Sequence, residues 1–119
     1  MLVNLKEILA IAEERKCAVG AFNTPNLECL IAVIDAAEKL GTPVIIFQAE
    51  LHENISPLEK IGPVMVQAAE KAGVPVCVQC SEITDLCLIA ESVYSRFFRT
   101  RLCRQEFVRF PDDRMQDIL

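Results

Sequence analysis

Three short apolar runs, Cys17-Ala-Val-Gly-Ala-Phe22, Pro43-Val-Ile-Ile-Phe47 and Val74-Pro-Val-Cys-Val78, are separated by longer segments with helical spacing. Each run lacks the alternation of a half-exposed strand, so it predicts a strand covered on both faces. Covered strands separated by helices make a parallel sheet with helical crossovers. Leu5, Ile8, Leu9 and Ala12 share one face of a helix over 5–16. Leu27, Leu30, Ile31, Ile34 and Ala37 share one face of a helix over 27–40. The turn at 23–26 supplies an Asn side chain that can accept from free first-turn N–H groups, and Gly41 closes the helix where the chain turns left-handed.

A loop is expected over 49–56, and Pro57 opens a third helix. Pro63 should kink or split that helix, and Gly73 ends it. A last helix is expected over 83–93. The order is α-β-α-β-α-β-α, an α/β chain with about three parallel strands. The junctions Gly41-Thr-Pro-Val and Gly73-Val-Pro-Val resemble one another, as repeated β/α units should. Periodicity leaves open whether the sheet is flat or part of a barrel.

Composition narrows the class of partner. The 119 residues make one domain at most, and a 52% hydrophobic content is enough to bury a core. Seventeen acidic against twelve basic residues, a net charge of -5, speak against nucleic acid or an acidic membrane face as a partner. Apolar runs fall short of the roughly 20 residues needed to span a bilayer, and the first residues lack the pattern of a signal peptide. The chain therefore reads as soluble and cytoplasmic, with reduced thiols. A compositional boundary falls near residue 94. Residues 95–119 carry six of the seven arginines and four of the six phenylalanines, without Lys, Ala or Gly. That tail, including Arg99, Arg101 and Arg104, reads as solvated and outside the fold of residues 1–94.

The residues themselves then point to a family. Leu-Val-Asn-Leu-Lys-Glu-Ile-Leu at 2–9, Ala-Val-Gly-Ala-Phe-Asn at 18–23, Asn-Leu-Glu at 26–28, Pro-Val-Ile-Ile at 43–46 and Ala-Ala-Glu-Lys-Ala-Gly-Val-Pro-Val at 68–76 occur in that order. The ordered set resembles the N-terminal part of the class II ketose-bisphosphate aldolases, which act on fructose or tagatose bisphosphate. Ala-Glu-Leu-His-Glu at 49–53 and Ile61-Gly-Pro-Val64 resemble one branch of it. The resemblance covers 1–78 well and 83–94 loosely.

It implies a partial (β/α)8 TIM barrel, of which this chain supplies about three strands. It also implies a glycolytic type of lyase chemistry. In the family, zinc polarises the ketose carbonyl of a sugar bisphosphate, an Asp handles the proton, and histidines bind the metal. Dihydroxyacetone phosphate and glyceraldehyde 3-phosphate result. The first Asp-His pair follows the third strand, in a motif resembling His-Leu-Asp-His-Gly.

Here this sequence departs from the family and reads Gln79-Cys-Ser-Glu-Ile83. Ser81 stands at the catalytic Asp position and Glu82 at a zinc-binding His position. A neutral Ser hydroxyl is no general base near neutral pH without an activating partner. A catalytic zinc site usually takes three protein ligands plus an open position. The chain has one histidine, His52, and no glycine after Gly73 to build phosphate-holding loops. It is expected to bind no zinc by itself and to be inactive alone, a truncated or remnant aldolase. The alternative is a non-catalytic assembly or binding module, which self-associates or takes a complementing chain through an open sheet edge.

Asn23, Glu50 and the Ser81-Glu82 pair each follow the C-terminal end of a strand, the end that carries active sites in such barrels. Asn23 and Glu50 are the substrate-binding candidates, and Asn23 matches the Asn of the family's Ala-Phe-Asn motif. Cys77 and Cys80 form a Cys-x-x-Cys pair, but residues three apart on a strand face opposite ways, which predicts inert thiols. A mixed site of Cys80, Glu82 and His52 would lack a fixed third ligand. His52, among Glu50, Glu53 and Asn54, is expected in solvent.

Overall fold

A computed structural model of the chain describes residues 1–81. The expected helix over 83–93, the boundary near 94, the tail over 95–119 and Glu82 lie outside the described residues. The elements are β1 (Leu2–Val3), α1 (Leu5–Arg15), β2 (Gly20–Asn23), α2 (Leu27–Leu40), β3 (Val44–Ala49), α3 (Leu58–Lys71) and β4 (Val76–Ser81). The sheet is four-stranded and parallel throughout, in the order β1-β4-β3-β2. The three expected strands are its centre and one edge. The short β1 is an addition, paired with the first residues of β4 through Leu2↔Val76 and Val3↔Cys77.

Local chemistry sets the helix ends. Asn4 and Glu7 make a reciprocal capping box: the Asn4 side chain accepts from the Glu7 amide at 2.9 Å, and the Glu7 carboxylate accepts from the Asn4 amide at 2.8 Å. Asn26 caps α2 by accepting from the Cys29 amide at 2.9 Å. Gly41 closes α2 with φ +63°, the left-handed region in which glycine has no Cβ penalty. Pro63 lies inside α3, yet the helix is not split but continuous from Leu58 to Lys71. Proline costs one backbone hydrogen bond there. Burial of Ile61, Met65 and Ala69 along the same helix outweighs that loss.

Two apolar layers sandwich the sheet. Leu30, Ile34, Ile61 and Met65 of α2 and α3 pack on Val44, Ile46, Val76 and Val78. On the opposite face, Ile8 of α1 packs on Ile45 and Cys77. In a closed barrel that second face would line the interior, so α1 lies across the N-terminal floor. The N-terminal amine donates to the Ala69 carbonyl at 2.7 Å, the Val74 carbonyl at 3.0 Å and the Ala72 carbonyl, fastening β1 to the end of α3.

One expectation needs correction. The run at 17–22 predicts a covered strand, but β2 is an edge, with Gly20, Ala21 and Phe22 exposed. Its side chains have β3 on one flank only. An apolar groove of about 390 Å³ runs between β2 and α2, lined by Phe22, Ala32, Val33, Ala36, Leu40 and Val44.

Candidate functional site at the C-terminal edge of the sheet

All four strands run the same way, so their C-terminal ends form one rim. Asn23 pairs in register with Phe47, and Phe47 with Gln79. Side chains in parallel register point to the same side of the sheet, so Asn23 shares the inner face with Phe47 and Gln79. Ala49 pairs with Ser81 at the last position of the ladder. Ser81 therefore ends β4 on that rim. Glu50 follows β3 directly, in a single 3₁₀ turn over Glu50–His52.

Thr24 is fully buried, and both its backbone amide and its hydroxyl donate to the Phe47 carbonyl, at 2.8 and 3.3 Å. These two hydrogen bonds fix the backbone just beyond Asn23. The loop after β3 is held from two sides. Gln48, 2% exposed, donates through Nε2 to the Ser56 carbonyl at 2.8 Å. Glu53 accepts the Leu58 amide at 2.9 Å, which serves a free N–H group at the start of α3.

His52 is not in solvent as expected but half-buried, with Nδ1 3.3 Å from Asn23 Nδ2. An amide nitrogen only donates, so the contact is a hydrogen bond in the tautomer whose Nδ1 accepts. Asn23 Oδ1 is enclosed without a hydrogen-bond partner, as is Gln48 Oε1. The pairing of Asn23 with His52 joins residues 29 apart in sequence. The one signal for it in the sequence is the position of His52 three residues past the end of a strand, on the rim that carries barrel active sites.

Among the described residues the donors do not assemble the zinc site that the family resemblance implies. Among the described residues no group of three or more His, Cys, Asp or Glu side chains is placed to hold a metal ion. The Cys80 thiol is pushed up to about 12, chiefly by burial and further by the Glu53 charge, so it keeps its proton near neutrality. Cys77, 1% exposed, packs beside Ile8 and Ile45, whereas Cys80 sits three residues on, where strand geometry turns it to the opposite face. Cys17, Cys29 and Cys80 are free thiols. No helix among the described residues is long and apolar enough to cross a membrane.

Comparison with known proteins places this architecture. The family model for class II fructose-bisphosphate aldolase matches residues 3–97. A fructose-bisphosphate aldolase of Thermus caldophilus is 38% identical over 78 residues, covering 66% of this chain and 25% of the relative. A Bacillus subtilis (strain 168) protein named "Probable fructose-bisphosphate aldolase" is 32% identical over 99 residues, covering 81% of this chain and 35% of the relative. The crystal structure of the YdjI aldolase from Escherichia coli K12 superposes with a TM-score of 0.70 at 32% identity, over 75% of this chain and 34% of that one. The chain thus matches about a quarter to a third of the length of each relative.

Proposed function

The chain belongs to the class II fructose-bisphosphate aldolase family, and from that premise we propose that it supplies the first β/α units of a ketose-bisphosphate aldolase barrel and does not cleave the sugar unaided. The observation that carries this reading is the rim. Asn23 and Glu50 stand at strand ends where a sugar bisphosphate would lie, while the described residues hold no three-donor cluster for zinc. In this reading Asn23 and Glu50 bind and orient substrate hydroxyls. Ser81, at the family's catalytic Asp position, gives no general base. Glu82, at a zinc-binding His position, offers one carboxylate where a catalytic zinc needs three protein ligands. Carbon–carbon cleavage then requires further barrel units and the metal ligands they carry.

The exposed β2 edge and the apolar groove beside α2 support such a complement, because an unpaired edge in a parallel sheet presents free backbone groups and uncovered apolar surface. They equally favour the second reading, a non-catalytic assembly module that self-associates through the same edge.

The test is a coupled assay for dihydroxyacetone phosphate. The full chain is incubated with fructose or tagatose 1,6-bisphosphate, with zinc and with a chelator. The expected result is no cleavage above the chelated control from the chain alone. Zinc-dependent turnover by the chain alone would overturn the proposal. A stable monomer in size-exclusion chromatography would count against the assembly reading.

A further inference from the structure

We propose that His52 is a positioning residue for Asn23: it fixes the Asn23 carboxamide so that Oδ1 is offered as an acceptor to a hydroxyl of a polyhydroxylated phosphate ester. This rests on the ketose-bisphosphate reading of the rim and adds to it a residue that the Asn23 and Glu50 assignments do not include.

The contact is not needed to hold either backbone. Residues 23 and 24 are already fixed by the β2–β3 ladder and by the two hydrogen bonds from Thr24 to the Phe47 carbonyl. The turn carrying His52 is already held through Gln48 to Ser56 and through Glu53 to Leu58. What the 3.3 Å contact adds is the rotation of one amide group. With Nδ1 accepting from Nδ2, the opposite end of the amide, Oδ1, is left enclosed and without a donor. An acceptor kept desolvated and unpaired is costly to the free protein and rewards an arriving donor. A sugar hydroxyl is such a donor. Inorganic phosphate, mostly an acceptor near neutrality, is a much poorer one.

The contact is a hydrogen bond with only one placement of the ring proton. A neutral imidazole whose Nδ1 accepts carries its proton on Nε2. His52 is the single histidine of the chain, so a long-range ¹H–¹⁵N spectrum of the ¹⁵N-labelled full chain reads it without assignment.

Four samples decide the proposal: the native chain, Asn23→Asp, His52→Leu and the conservative variant His52→Gln. In its neutral form the native ring is expected to carry the proton on Nε2. Asn23→Asp, which can only accept, is expected to draw the proton to Nδ1. Fructose 1,6-bisphosphate is expected to shift the Asn23 side-chain NH2 signals, whereas inorganic phosphate leaves them in place. His52→Leu should weaken sugar binding about tenfold, and His52→Gln, whose oxygen can accept from Nδ2, should stay within about threefold. A native Nδ1–H ring, or a tautomer indifferent to Asn23→Asp, would overturn the positioning role. If the tautomer follows residue 23 but fructose 1,6-bisphosphate leaves the amide signals unmoved, the positioning role stands and the ketose-bisphosphate reading falls.

Discussion

Gln48 Nε2 donates to the Ser56 carbonyl across 2.8 Å, so a side chain buried beneath the rim closes the loop that displays Glu50 and His52. Gln48→Ala removes that closure and leaves a void and an unpaired carbonyl. The expected loss is about 1–3 kcal/mol in urea unfolding, with faster amide exchange over residues 50–56 than over α2. Unchanged exchange in the loop would show that Glu53 and the loop's own backbone hydrogen bonds suffice to hold it.

The two left-handed helix ends make a matched pair. Lys16 closes α1 at φ 52°, and Gly41 closes α2 at φ 63°. A side chain in this region is strained, so Lys16→Gly is expected to stabilise by roughly 0.5–1 kcal/mol and Gly41→Ala to destabilise by about 1 kcal/mol. Chemical denaturation of the two variants reads the signs directly. The same sign for both would refute the argument.

The reciprocal bonds of Asn4 and Glu7 predict that Asn4→Ala costs about 1 kcal/mol. The same experiment reports on the floor of the sheet, because α1 carries Ile8 onto Ile45 and Cys77. Loss of α1 should increase labelling of Cys77 in site-resolved alkylation, and protection equal to that of the native chain would contradict this.

Met65 is fully buried between α3 and the sheet, whereas Ile55 is 84% exposed. Met65→Ala is expected to cost about 2–5 kcal/mol and Ile55→Ser less than about 0.5 kcal/mol. Equal midpoints for the two variants would mean that the packing around Met65 is not as described.

Burial holds the Cys80 thiol protonated up to about pH 12, against an ordinary value of 9.0. The exposed Cys17 should therefore alkylate at pH 8 well before Cys80. The linkage has a definite sign. Between about 9 and 12 the folded chain holds a proton that the unfolded chain releases, so this group's contribution to stability is full below pH 9 and falls as pH rises above it. Cys80→Ala should flatten the alkaline limb of a stability–pH profile. A limb unchanged by that substitution would assign the effect elsewhere.

The amino-acid sequence alone determined the parallel α/β plan, because continuous apolar runs between helical repeats have few other ways to hide both faces. It also determined the helix ends at Asn26 and Gly41, where local hydrogen bonding and backbone sterics act within a few residues. Its strand limits stopped short at the first polar side chain. The ladder runs on through Asn23, Gln48, Ala49, Gln79 and Ser81, because backbone pairing ignores side-chain polarity and the polar ends are the rim itself. Only the tertiary structure could show that β2 is an exposed edge, that β1 joins the sheet beside β4, and that His52 meets Asn23. Each of those depends on which segments lie side by side after the three helical crossovers, and that adjacency is set by the packing of the whole sheet rather than by any local pattern of residues.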